Sequence, residues 1–137
     1  MAKPVLKNKS FAFAVRIVRL AQYLQGDKKE YVMSRQVLRS GTAVGALVRE
    51  AEYGESKLDF IHKLTIALKE ANETSYWLEL LNETDYLEEG LFLSLHGNLK
   101  ELIALLISSI KTSKSNMDKE SSKLNKGKNK QQQQKDI

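Results

Sequence analysis

The sequence predicts an all-α protein, an antiparallel up-and-down four-helix bundle followed by a disordered C-terminal tail. Four stretches repeat apolar residues at the spacing of a helix face, and the connections between them are short. No stretch alternates with the period of two that is typical of a strand. From about Thr112 the composition changes to Lys, Ser, Asn and Gln, ending GKNKQQQQKDI, which is too polar to bury a core.

The chain has 137 residues, of which 42% are apolar, which is enough for one hydrophobic core and short for two. We divide it into an N-terminal arm at residues 1–8, a bundle at 9–114 and the tail at 115–137. The start, MAKPVLKNKS, lacks the apolar core of a signal peptide, and no window reaches ~18 consecutive apolar residues. We therefore expect a cytoplasmic protein without membrane contact.

The first helix is predicted from about Lys9 or Ser10, with Ser10 as N-cap, to Leu24, with Gly26 as the stop signal. Two adjacent apolar rows give it a wide core stripe. The first row contains Phe13, Ile17, Leu20 and Leu24, and the second contains Phe11, Ala14, Val18 and Ala21.

The second helix is predicted to start within Val32–Arg35 and to end at Gly54. Its core row contains Val37, Gly41, Val44, Val48 and Ala51. Gly41 and Gly45 each cost a helix up to ~1 kcal/mol relative to alanine, so they need an explanation. Tight packing against another helix of the same subunit would explain them, and so would a subunit or ligand contact.

The third helix follows a start signal resembling a capping box, Ser56-Lys-Leu-Asp59, and runs to about Glu83. The fourth is predicted from about Glu88 to Lys111. Their buried rows contain Phe60, Leu64, Ala67, Ala71, Leu78 and Leu81 in the third helix, and Leu95, Leu99, Leu102, Leu106 and Ile110 in the fourth.

Motifs for catalysis are absent from the sequence. A di-iron bundle needs two Glu-x-x-His pairs, whereas this chain has one loose approximation, Asp59-Phe-Ile-His62. It has no cysteine, no Walker loop and no nucleophile elbow. We expect no enzyme activity, no catalytic residues, no metal site and no cofactor.

Charge is polarised along the chain. Residues 1–49 contain ten lysines and arginines against two acidic residues, and residues 50–90 contain eleven acidic residues against three lysines. Arg35, Arg39 and Arg49 share one helix stripe with the small residues Thr42 and Ala46, so a phosphate backbone could approach them closely. Arg16 and Arg19 would extend this basic surface. Alternatively, the arginines pair with carboxylates such as Glu50, Glu70 or Glu73 within the bundle or across a subunit boundary.

The run RQVLRSGTAVGALVREAEYGESKLDFIHKLTIALKEANETSYWLELL, Arg35 to Leu81, resembles the 23S rRNA intervening-sequence (S23-like) family of bacterial four-helix-bundle proteins, which are related to accessory proteins of diversity-generating retroelements. The resemblance covers about Phe11 to Lys114. It implies a barrel-shaped homopentamer that binds structured RNA or DNA, and it implies no enzymatic activity. An interaction module that acts with a protein partner and without nucleic acid is the alternative.

One stripe of the second helix departs from the family pattern S-G-T-S-V-G-A-N, because Ala43 and Leu47 replace the second serine and the asparagine. The middle of this stripe is therefore apolar. We expect either that part of the polar network of the stripe is lost or that the stripe is repacked as an apolar interface. The residues that we assign to packing or assembly are Gln36, Ser40, Gly41, Gly45, Leu47, Glu50, Glu70 and Glu73.

Overall fold

The computed structural model describes the backbone of residues 4–135 and the side chains of residues 4–127. It contains four helices, α1 (Pro4–Gly26), α2 (Met33–Glu52), α3 (Lys57–Glu83) and α4 (Glu89–Lys135). Each helix packs against the next, and α1 also packs against α4. The predicted all-α, up-and-down four-helix bundle is confirmed, and residues 4–135 contain no strand.

Helix α1 begins earlier than the sequence predicted. Residues 4–8 belong to the helix and Leu6 is fully buried, so the arm prediction is wrong there, while residues 1–3 lie outside the described part. Proline at the first helical position suits a helix start because its missing N–H has no partner there anyway. Ser10 is not the N-cap but a buried residue inside the helix, where its hydroxyl donates to the Lys7 carbonyl.

The core contains only part of the predicted stripe of α1. Phe13, Ile17 and their row are buried, as expected. Of the second row, Ala21 is buried, but Phe11 is 58% exposed and Val18 is 40% exposed. The core-facing arc of α1 is therefore narrower than its apolar arc, and apolar side chains remain on the outside of the bundle.

The glycines of α2 allow close contact with α1. A Cβ atom on Gly41 would lie 2.9 Å from Cγ1 and Cγ2 of Ile17. A Cβ on Gly45 would lie 3.2 Å from the carbonyl oxygen of Ser10. Packing within the subunit therefore explains both glycines, which was the first of the two predicted explanations.

Side chains cap the starts of α3 and α2, and the Glu88 carboxylate accepts the N–H of Leu91 at 3.3 Å at the start of α4. Ser56 accepts the N–H of Asp59 at 3.1 Å, as the start signal predicted. The carboxylate of Glu30 accepts the backbone N–H groups of Val32, Met33 and Ser34 at 2.7 to 2.9 Å. Glu30 is itself buried, so this acidic residue completes the start of α2, where three backbone donors lack partners within the helix.

Helix α4 continues to Lys135, well past the predicted end at Lys111. Packing nevertheless stops near the predicted boundary of the bundle: Met117 contacts the core, Glu120 pairs with Lys57, and residues 118–127 are all exposed. The tail was predicted to be disordered, and its backbone is helical through Lys135, while residues 136–137 lie outside the described part. Lys, Glu and Gln are good helix formers, so the backbone can continue as a helix without tertiary contacts.

Helix α4 also contains the one described segment, Glu89–Gly127, that is long and apolar enough to cross a membrane by length and composition. The core helix of a globular protein passes the same test, and four of its leucines are buried in the bundle, namely Leu95, Leu99, Leu102 and Leu106. The absence of membrane contact stays a prediction.

Candidate nucleic-acid and assembly surfaces

The arginine row of α2 consists of Arg35, Arg39 and Arg49, and all three side chains are exposed. Arg39 and Arg49 follow Arg35 by four and fourteen residues, which places all three on one outward face of a helix with 3.6 residues per turn. Ala46 on the same face is exposed and Thr42 is half-buried. Both side chains are small, so no bulky group projects between the arginines. This matches the stripe that the sequence predicted.

Arg39 is the member of the row that forms ion pairs within the subunit. Its guanidinium donates to the carboxylates of Glu70, at 3.1 Å, and of Glu73, both on α3. Partial loss of hydration lowers the pKa of Arg39, but the charges of Glu73 and Glu70 and their hydrogen bonds outweigh it and raise the pKa above its ordinary value. The ion-pair alternative therefore holds for Arg39, whereas Arg35 forms no ion pair with any side chain among residues 4–127.

Arg49 lines an open groove of about 1020 Å³ that is formed by α1, α2, the α2–α3 connection and the start of α3. Its Cζ atom is 5.8 Å from the centroid of the Phe11 ring, a cation–π distance. Small residues form part of the lining, among them Ala14, Gly45 and Ala46, and the exposed ring of Tyr53 stands at the edge. Charged side chains of both signs complete it: Lys7, Lys63, Glu50, Glu55 and Asp59.

Arg16 and Arg19 do not extend the arginine row. They lie on the side of α1 that faces α4, where they line a small cavity with Leu91 and Leu95. Arg16 donates to Asn98 and, at 3.0 Å, to the hydroxyl of Ser94. The five predicted arginines therefore form two groups on different sides of the bundle.

The stripe of α2 that departs from the family pattern faces α3 of the same subunit. The hydroxyls of Ser40 and Thr74 lie 2.9 Å apart and are buried. Leu47 is half-buried and packs on the core, and Glu50 pairs with Lys63 at 3.4 Å. Gln36 is half-buried. Among the described residues, Ser40 and Glu50 of this stripe contact α3, and Glu50 also lines the open groove.

A serine, a histidine and a glutamate meet between α3 and α4. The Nε2 atom of His96 is 2.9 Å from the Ser75 hydroxyl and 3.6 Å from Oε1 of Glu79, and Phe92 stacks on the ring. A catalytic triad requires the acid at the other ring nitrogen, Nδ1, where it orients the imidazole. Both oxygens here approach Nε2, so this cluster links two helices and has no triad geometry.

Metal-ligand clusters are not found within the part of the chain that the structure describes, in which no three His, Asp or Glu side chains come together to hold an ion. His62 is exposed on α3. The expectations of no metal, no cofactor and no catalytic residue stay predictions.

Two exposed apolar residues of α1 were missed in the sequence. Phe11 was assigned to the core and Val15 to no face, but they are 58% and 37% exposed. A signal was present, because α1 has apolar residues around most of its circumference and a core needs only one side of a helix. An apolar residue outside the core arc indicates a second contact surface.

The protein is a small antiparallel four-helix bundle, and its candidate binding residues, the arginine row and the groove, lie on the outer surface. A family model described as 23S rRNA-intervening sequence protein matches residues 4–108, and the chain belongs to this family. It is similar to a protein of unknown function from the S23 ribosomal protein family of Bacteroides thetaiotaomicron VPI-5482, whose crystal structure is solved. The two are 55% identical, the match covers 81% of this chain and 99% of the other, and the TM-score is 0.79. No protein among those with curated descriptions matches the chain.

Proposed function

We propose that this protein is a non-catalytic, ring-forming bundle that binds RNA or DNA through the arginine row of α2. The observation that carries the proposal is the exposure of Arg35 and Arg49 on one helix face, with the small side chains of Thr42 and Ala46 between them. Phosphate oxygens can approach such a face closely, and arginine is well suited to bind them. The family resemblance supports the homopentameric ring.

The three arginines of this row would differ in how directly they contact a bound nucleic acid. Arg35 has no ion pair with a described side chain, and Arg49 shares only the Phe11 ring, so both guanidinium groups can turn toward a phosphate. Arg39 would first have to leave Glu70 and Glu73. We therefore assign phosphate contacts to Arg35 and Arg49, and a positioning role to Arg39.

The test is a set of binding curves at increasing salt, measured with a fluorescent RNA hairpin and a DNA duplex of equal length. Each phosphate contact contributes about 0.9 to the slope of log affinity against log salt, so Arg35→Ala plus Arg49→Ala should reduce the slope by about 2. Lys69→Ala plus Lys100→Ala is the matched control, because both lysines are exposed on α3 and α4. Equal affinity of the arginine variant and the parent would contradict the proposal.

The tail needs its own control because it contains many lysines. Deletion of residues 121–137 removes most of that charge and keeps Met117 on the core and the Glu120–Lys57 pair. Binding that disappears with this deletion, and that does not depend on the arginine row, is charge attraction by the tail.

A protein-interaction module is the second candidate, and the exposed apolar side of α1 favours it. Phe11, Val15 and Val18 are exposed apolar side chains that have no hydrogen-bonding group for a phosphate. Light scattering during size-exclusion chromatography, with the ratio of absorbance at 260 and 280 nm, separates the candidates. A ring without excess absorbance at 260 nm, which also fails to bind either probe, would favour the interaction module.

A further inference from the structure

A cavity of about 350 Å³ lies between α1 and α4, and we call it the α1–α4 cavity. Ligand sites commonly have volumes of about 300–1,000 Å³, and in helix bundles they lie between helices. The lining consists of Arg16, Arg19, Leu20 and Tyr23 of α1 and Leu91 and Leu95 of α4. Positions i, i+3, i+4 and i+7 share one side of a helix, so a single side of α1 supplies all of its lining residues.

The leucines give the α1–α4 cavity an apolar floor. Leu20 and Leu95 are buried, and Leu91 is half-buried and packs on the core. Tyr23 lies at one end of the α1 stripe and is 39% exposed, so the cavity is open to solvent on this side. A ligand that enters it therefore gains free energy by burying apolar surface against the leucines.

Arg16 lies at the other end of the α1 stripe, and hydrogen bonds already position its guanidinium. Nη1 donates to Oδ1 of Asn98, and Nη2 donates to the Ser94 hydroxyl at 3.0 Å. Both acceptors are neutral, so the positive charge is not compensated, and a guanidinium has further N–H donors for an anion. A side chain that is held in place before a ligand arrives loses less entropy when the ligand binds.

The two arginines of the α1–α4 cavity have no acidic partner among residues 4–127. The described partners of Arg16 are the two neutral acceptors, and Arg19, which follows three residues later, is exposed and forms no ion pair with a described side chain. No described carboxylate lines the cavity. Its lining therefore has two positive charges and no compensating negative charge.

Carboxylates line the two neighbouring cavities instead. Glu101 belongs to the cavity on the other side of Arg16, where Lys9 forms an ion pair with it. The cavity beyond Tyr23 is lined by one lysine and by four carboxylates, those of Glu83, Asp85, Glu88 and Glu89. These carboxylates repel an anion at the Tyr23 end, so a negatively charged group is favoured at the arginine end.

We propose that the α1–α4 cavity binds a small amphipathic anion that has a carboxylate or phosphate head and an aliphatic body of medium length. Arginine binds the oxygens of both head groups with paired N–H donors. The leucine floor accepts the body, and Arg16 and Tyr23 are seven residues apart, about 10 Å along a helix, which suits a medium-length chain. The site is separate from the arginine row of α2, so this inference does not depend on nucleic-acid binding.

The first test compares ligands on the parent protein by isothermal titration calorimetry. Octanoate should bind saturably and at least about tenfold more tightly than octanol, which lacks the charge, or acetate, which lacks the body. Across acetate, butanoate, hexanoate and octanoate, affinity should rise by about fourfold for each methylene that the cavity buries. Octyl phosphate shares the body of octanoate, and the ratio of their affinities shows which head group the arginines prefer.

The second test removes the charges. Arg16→Gln plus Arg19→Gln should weaken octanoate binding about tenfold or more and change octanol binding by less than about twofold, because only the anion uses the guanidinium groups. The matched control is Arg35→Gln plus Lys69→Gln, which removes two exposed charges from α2 and α3 and should leave octanoate binding unchanged. Circular dichroism should show that both variants keep their helices, because none of the four side chains lies in the buried core. Arg19→Gln alone changes only an exposed side chain and should still weaken octanoate binding severalfold.

Methyl NMR of the parent locates the bound chain. Octanoate should shift the methyl signals of Leu91 and Leu95, which line the cavity. Shifts confined to Val15 and Val18 would overturn the proposal, because these exposed valines lie outside the cavity and would report adsorption to another surface.

The remaining outcomes are equally decisive. Saturable octanoate binding that depends on both the arginines and the chain length supports the site. The site is overturned if neither octanoate nor octyl phosphate binds saturably at millimolar concentration, or if the parent and the Arg16–Arg19 variant bind octanoate equally. Either result leaves the nucleic-acid proposal untouched, because that proposal is tested at Arg35 and Arg49.

Discussion

Replacing Gly41 by alanine tests the close approach of α1 and α2 that organises the bundle. The new Cβ would lie 2.9 Å from two carbons of Ile17, well inside ordinary van der Waals contact. Ile17 has no exposed surface and therefore has no room to turn away. Overpacking of this kind costs about 1–3 kcal/mol, while the change from glycine to alanine in a helix returns about 0.5–1 kcal/mol. We expect a net loss of about 0–2.5 kcal/mol in the free energy of unfolding.

Gly97 provides the matched control, because it lies inside α4 and nothing comes within 4 Å of its added Cβ. Gly97→Ala should raise the free energy of unfolding by about 0.5–1 kcal/mol, since only the helix propensity changes. Gly45→Ala should fall between the two, because its Cβ meets the Ser10 carbonyl at 3.2 Å. Urea unfolding at fixed protein concentration measures all three.

A double-mutant cycle identifies the contact itself. Ile17→Ala costs about 2–5 kcal/mol by itself, but it also removes the two carbons that the Gly41 Cβ would meet. Gly41→Ala should therefore be neutral or stabilising in the Ile17→Ala background. If Gly41→Ala stabilised the parent as much as Gly97→Ala does, the explanation of the α2 glycine by helix contact would be refuted.

Three further outcomes are expected. Glu30→Ala should lower the free energy of unfolding by about 1–2 kcal/mol because three backbone N–H groups at the start of α2 lose their acceptor, and Glu30→Gln should recover part of this loss. Arg39→Ala should cost about 1 kcal/mol or less in urea unfolding, because its side chain is half exposed and solvent screens its pairs. Hydrogen exchange measured by mass spectrometry should be much faster over residues 121–127 than over 99–106, because the former make no described contact with the core; equal protection would show that a partner covers them.

The number of helices and the start signal at Ser56 were predictable because both follow from local physics. A periodic apolar row must be buried along one side of a helix, and a serine side chain can satisfy backbone donors a few residues away. The start of α1 was misplaced for a related reason: Ser10 has the chemistry of an N-cap, and only burial of Leu6 beside it shows that the helix has already begun.

The candidate surfaces were predictable in composition and only partly in position. The outward stripe of Arg35, Arg39 and Arg49 follows from helix geometry, and its exposure agrees with that prediction. The choice between solvent, phosphate and carboxylate as the partner of Arg39 depends on the register of α2 against α3, which places Glu70 and Glu73 beside it. Residues 31 and 34 positions apart in the chain meet there, and no local pattern encodes that spacing.

The sequence by itself determined the class of fold, the order of the helices and the polarity of charge, because hydrophobic period and composition act within a few residues. Only the tertiary structure decided how wide the buried arc of α1 is, and that decision left Phe11 and Val18 outside the core. The width depends on how closely α2 approaches, which Gly41 and Gly45 set through contacts with residues more than twenty positions away. The distance between two packed helices depends on the side chains of both surfaces. The apolar pattern of one helix therefore does not predict this distance.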